Sequence, residues 1–205
     1  EDSMFQKLVG GTIASPFGNI SIFIVCYILI CCWSYHKNFT DKKLHHLYTM
    51  YLGLGIYGLF SIFCPVHPQW TILMMPYLIF FLVYNKQERK LNILLEMAFT
   101  ACTLLTLYMV YTWVFTTGLT DHMLFEQIFN LPTVTTGLPI LERLVPYQSI
   151  INAVVLATFA YFMWINKPEK LLKQEKSEKW EHGLLCLRMS IIVPFALLIV
   201  YYYFR

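Results

Sequence analysis

LYTMYLGLGIYGLFSIF-CPVHPQ-WTILMMPYLIFFLVY, residues 47–84, is an apolar run (Leu47–Phe63), a six-residue break (Cys64–Gln69) and a second apolar run (Trp70–Tyr84). A break that short sends the chain straight back, so two neighbouring apolar segments must run in opposite directions. The chain of 205 residues is 58% hydrophobic and 13% charged, with positive mean hydropathy. A soluble domain of this length cannot hide so much apolar surface, which makes the bilayer its solvent. Apolar runs of about 17–25 residues can cross as helices. Six runs qualify: 17–33, 47–63, 68–84 (its first turn drawn from Pro68 and Gln69), 91–115, 145–165 and 184–204. No stretch alternates as a barrel strand does. The expected fold is therefore all-α, a polytopic integral membrane bundle of about six spans forming a single domain.

Charge placement predicts sidedness. Loops 34–46, 86–90 and 166–183 hold Lys37, Lys42, Lys43, Lys86, Arg89, Lys90, Lys167, Lys170, Lys173, Lys176 and Lys179, with Arg188 just inside the following run. The opposite face has Lys7, Arg143 and Arg205. The first face is then cytoplasmic, and the N-terminus, the 64–69 turn, the 116–144 loop and the C-terminus are not. Trp33 and Trp164 fall at cytoplasmic ends, Trp70 and Trp113 at outer ends, as an interfacial belt requires. A net charge of +3, with its cations split among short loops, implies no nucleic-acid partner. An outward N-terminus and a start at Glu1 lead us to expect helices ahead of residue 1 in the natural protein.

Cys26, Cys31, Cys32, Cys64, Cys102 and Cys186 show neither a zinc spacing nor a disulfide framework. No metal or cofactor is expected. The Cys31-Cys32 pair is either helix packing or a palmitoylation site. Residues 166–182 alternate Lys and Glu as a solvated surface helix or helical extension does, with attraction to anionic lipid headgroups as the alternative. In the 116–144 loop, residues 121–129 read as an interfacial amphipathic helix capped by Thr120 or Asp121. Pro76 and Pro194 are expected to kink their spans, and Gly53, Gly55 and Gly58 give one span a smooth packing face. Glu96 and Arg188 enter their spans at matching depth from the cytoplasmic end. They either pair as buried charges or snorkel separately to the headgroups.

Two groups of outer residues carry candidate chemistry. Pro68 suits a first helical position, leaving His67 at a helix start where free N–H groups favour an anion. Imidazole and the Gln69 carboxamide would add hydrogen bonds to a phosphate or a sugar hydroxyl, and Trp70 would stack on a sugar or anchor the interface. The plain alternative is a polar turn with an interfacial tryptophan. Asp121, His122 and Glu126 offer acid–base groups, though their spacing does not place all three on one helical face.

The run Leu47–Phe63, the turn Val66-His67-Pro68-Gln69-Trp70 and the following Pro76-Tyr77 resemble the later transmembrane region of the GT-C superfamily. These are polytopic glycosyltransferases that use polyprenyl-phosphate-linked sugars; the likeness is to mannosyltransferase-like and related bacterial members and covers about residues 47–85. The resemblance implies a membrane-embedded transferase in which His67 and Gln69 hold the donor phosphate and Trp70 shapes the lipid or sugar site. It also implies an acidic catalytic residue in an early outer loop. Nothing here matches that motif, which leaves Asp121 and Glu126 as the acid–base candidates. The implied partners are membrane lipid, the lipid-linked sugar and further membrane helices or subunits. Two other functions stay open: a non-catalytic subunit of a membrane complex, and a small transporter or channel, for which only Glu96 and Arg188 offer buried charge.

Overall fold

A computed structural model describes residues 10–64, 68–109, 143–173, 182–194 and 196–197. Most of these are helical. In chain order they form β1 (Thr12–Ser15), β2 (Gly18–Ser21), α1 (Ile22–His36), α2 (Lys42–Phe63), a 3-10 helix (Pro68–Met74), α3 (Met75–Tyr84), α4 (Arg89–Met109), a short 3-10 turn (Val145–Tyr147), α5 (Gln148–Ile165), α6 (Pro168–Leu172) and α7 (His182–Ser190). Among the described residues, two helices are long and apolar enough to cross a membrane, Lys42–Phe63 and Val145–Ile165. Ile22–His36, Thr71–Tyr84 and His182–Pro194 are shorter apolar segments. The chain divides into two units, Glu1–Arg89 with Phe162–Glu178, and Lys90–Tyr161 with Lys179–Arg205.

The first unit is built on α2. Asp41 caps it by accepting from the Lys43 amide at 2.9 Å. Pro65 stops it, because the residue before a proline is forced out of the helical region, and Cys64 is extended at φ −103°, ψ 129°. At about 1.5 Å per residue its 22 residues span roughly 33 Å, the thickness of a hydrocarbon core. Helix α1 lies antiparallel to it: Phe23, near the start of α1, stacks edge-on against Phe60 near the end of α2 at 5.6 Å.

Three boundaries depart from the sequence expectation. The run expected as a span from residue 17 opens instead as an antiparallel hairpin, Thr12 opposite Ser21 and Ser15 opposite Gly18, and helix begins only at Ile22. Gly18 accepts the turn at φ 128°, a conformation costly for any side chain. Ser21 then caps α1 through the Ile24 amide. The kink expected at Pro76 is a change of helix type. Pro76 has no N–H and crowds the carbonyl four residues back, so the winding up to Met74 is 3-10 and α3 starts with Pro76 in its first turn. Pro194 acts likewise on Ser190, where α7 ends at a turn.

Candidate functional site

In the first unit, Tyr48 and the segments 85–89 and 166–169 come together. Asn85 and Asn166 are fully buried, and Asn85 Nδ2 donates to Asn166 Oδ1 at 2.8 Å. Asn85 Oδ1 accepts from the Glu88 amide at 3.0 Å, and Asn166 Nδ2 donates to the Phe162 carbonyl at 2.8 Å. Each amide thereby closes one helix end and ties it to the other. The Arg89 guanidinium donates to the Val83 carbonyl at the close of α3, where a cation suits the helix dipole. On α6, the Glu169 carboxylate accepts from the Tyr48 hydroxyl on α2, while Leu171 is buried. That hydrogen bond holds the Glu169 carboxyl below the ordinary glutamate range. Burial pushes the other way, and Lys37 and Lys167 add to the lowering.

Tryptophan and lysine share this end of the unit. Lys167 Nζ sits 3.8 Å and Lys170 Nζ 5.6 Å from the Trp164 ring, and Lys37 Nζ 5.5 Å from that of Trp33. These are cation–π distances. Within the charged stretch expected as a solvated surface helix or helical extension, Pro168–Leu172 is helical with Leu171 buried; residues 174–181 lie outside the described residues.

The second unit contains a polar stripe on α4. Asn92 and Glu96 are buried beside Ile93 and Phe99, and Thr100, Thr103 and Thr106 continue the same face at three- and four-residue steps. Glu96 and Arg188, the two ionisable residues picked out from the sequence, are brought together. Arg188 Nε donates to Glu96 Oε2 at 2.5 Å and Nη2 to Oε1 at 2.8 Å, the bidentate geometry of a strong ion pair. Thr100 Oγ1 adds a third bond to Oε1 at 3.0 Å. The Glu96 side chain is 1% exposed and that of Arg188 24%. Thr106 Oγ1 lies 3.3 Å from Asn152 Oδ1, on α5. Thr103 Oγ1 is buried with no hydrogen-bond partner.

Of the outer residues, Gln69 and Trp70 stand in the first turn of the 3-10 helix that Pro68 opens. His67, Asp121, His122 and Glu126 lie outside the described residues. No group of three metal-ligating side chains occurs among the described residues. Comparison with protein-family models, with curated proteins and with solved structures finds no match to this chain.

The sequence reading missed the stripe. It took two charges from α4 and α7 and weighed no uncharged polar group beside them. The signal was present as a spacing, 92-96-100-103, hidden because threonine lowers mean hydropathy only slightly.

Proposed function

We propose that this chain is a multi-pass membrane glycosyltransferase, or the later part of one, taking its sugar from a polyprenyl-phosphate-linked donor on the non-cytoplasmic face. Loops 34–46, 86–90 and 166–183 face the cytoplasm in this reading, and the 64–69 turn faces away from it. His67 and Gln69 bind the donor phosphate, Trp70 shapes the lipid or sugar site, and Asp121 or Glu126 supplies the acid–base group.

The observation that carries it is the separation of two chemistries along α2. Basic loops, joined through Asn85–Asn166 and Tyr48–Glu169, gather at its first end. The Pro68-Gln69-Trp70 turn follows its other end, a helix length of roughly 33 Å away. Exposed Ile28, Leu29, Ile72, Ile79 and Ile150 are side chains that a bilayer would cover. The α4 stripe supports an embedded polar site over a purely structural role. Assignment to sugar transfer itself rests on the likeness of residues 47–85 to the GT-C region.

The test is sugar transfer from a polyprenyl-phosphate donor by the full-length protein in vesicles. His67→Ala and Gln69→Ala should each lower kcat/KM by about tenfold or more, the effect of one hydrogen bond to a charged group. Unchanged rates in both variants would remove the mechanism. A second reading, a non-catalytic membrane subunit, is favoured by the breadth of the exposed apolar faces on α1 and α5. Co-purification of a stoichiometric membrane partner, with no transfer by the protein alone, would select it.

A further inference from the structure

An elongated cavity of about 820 Å³ lies against one face of α2 in the first unit. The α2 residues that form its floor are His45, Thr49, Leu52, Ile56 and Phe60, spaced by three or four, so the trough runs straight along the helix. From His45 to Phe60 it extends roughly 22 Å. One wall is α1, from Phe23 to the Lys37 cap, and the other is formed by Leu73 and Tyr77. Gly53 keeps the floor flat under Tyr77: a methyl group there would collide with the Tyr77 ring.

The lining is graded. Ser34, Lys37, His45 and Thr49 cluster at the end where α1 finishes and α2 begins. Phe39 seals that end, its ring 5.6 Å from His45 and 4.8 Å from Tyr48. Beyond Leu52 the lining is aliphatic and aromatic as far as Phe60 and Leu73, and among the described residues no acidic side chain lines the trough. Glu169 is the nearby carboxylate, and its partner is the Tyr48 hydroxyl.

Shape restricts the occupant further. That volume over that length gives a mean cross-section of roughly 37 Å², against roughly 80 Å² for a helix 10 Å across. A single hydrocarbon chain fits within that section, whereas a helix laid over the open side would insert only side chains. A free anion would leave the apolar two-thirds empty, and a neutral chain would make no use of the cationic Lys37 end. The length also exceeds the ~15 Å that one leaflet offers a lipid tail, half of the usual core, which leaves room for a headgroup.

We infer that this trough is a binding site for an anionic phospholipid of the leaflet at the Lys37 end, its headgroup against Lys37 and His45 and one acyl chain along Leu52, Ile56 and Phe60. The site rests on the membrane placement proposed above but not on sugar transfer, because its charged end is opposite the Pro68-Gln69-Trp70 turn. Lys37 reaches it as interfacial lysines do, its ammonium 5.5 Å from the Trp33 ring.

The test uses the full chain in nanodiscs of phosphatidylcholine with a minority of phosphatidylglycerol. Acyl-chain diazirine forms of each lipid serve as matched probes, and adducts are mapped by mass spectrometry. The phosphatidylglycerol probe should label Leu52, Ile56 and Leu73 about fivefold more than the phosphatidylcholine probe, the preference one lysine confers near a membrane surface. Lys37→Glu, at an exposed position, should abolish the preference, and Ile56→Trp should suppress adducts in the trough while lipid-facing Ile79 still labels. Excess inorganic phosphate should not compete. Equal labelling by the two probes, a preference that survives Lys37→Glu, or competition by phosphate would each overturn the proposal. Should Ile56→Trp not fold, Lys37→Glu alone decides. Sugar transfer is read separately through His67→Ala, so either idea can fail without the other.

Discussion

Removing Arg188 should cost more than removing Glu96, and removing both should cost little. In the pair, the Glu96 side chain is 1% exposed and that of Arg188 24%, so only the arginine has a route to water or headgroups. Arg188→Leu leaves the carboxylate buried with the Thr100 hydroxyl still donating to it. Breaking a buried pair in that way costs about 3–5 kcal/mol. Glu96→Leu leaves a guanidinium that can turn outward, and about 1–2 kcal/mol is expected, close to a hydrogen bond lost by a charged group. Two leucines together refill the space without a stranded charge, so Glu96→Leu/Arg188→Leu should fall within about 1 kcal/mol of the parent. For a chain of this size the Arg188→Leu loss corresponds to a Tm lower by roughly 10 °C. Thermal unfolding of the full chain in nanodiscs, followed by tryptophan emission, measures all three variants. Equal costs for the two single variants, or a double variant as poor as their sum, would refute the reasoning.

Gly53→Ala should lower stability by about 1–3 kcal/mol, because its methyl must displace the Tyr77 ring, itself stacked 5.5 Å from Tyr57; a Tm equal to the parent's would contradict that close approach. Asn166→Leu removes the acceptor of Asn85 and a bond to the Phe162 carbonyl, a loss of about 1–3 kcal/mol in unfolding experiments. Hydrogen exchange should quicken at the amide of Glu88 in the same variant. Glu169 supplies a pH test. Its folded value lies below the ordinary 4.5, so its stabilisation is complete above that value and disappears as pH falls through the lowered one. The Tm difference between parent and Glu169→Gln should therefore close on acidification; a difference that widens would contradict the Tyr48–Glu169 contact.

The long apolar helices were the most legible part of the sequence. The runs at 47–63 and 145–165 appear as the two helices with the length and hydropathy of spans, since a continuous apolar stretch has few ways to satisfy its backbone except by helix. Local backbone chemistry was harder to read. Phe17 merged by hydropathy with the run behind it, although Ser15-Pro16-Phe17-Gly18 is a turn whose glycine takes positive φ. Pro76 was visible as a breaker, but whether it bends a helix or divides it depends on what precedes it. The Glu96–Arg188 contact joins residues 92 positions apart; matching depth suggested it, and only packing brings the two side chains within reach. The Asn85–Asn166 link had no sequence signal of its own, being two loop asparagines among many polar neighbours. The trough was legible in part: 45-49-52-56-60 is a helical face, but nothing in the sequence shows that its neighbours leave space over it. His67, Asp121 and Glu126 lie outside the described residues, so the catalytic assignment still rests on sequence.

Sidedness is the claim on which the rest depends, and impermeant maleimide labelling of intact cells tests it directly. In a background with the native cysteines replaced, Gln69→Cys should react from outside, whereas Lys42→Cys should react only after the membrane is opened. Labelling of Lys42→Cys in intact cells, with Gln69→Cys protected until permeabilisation, would contradict the account.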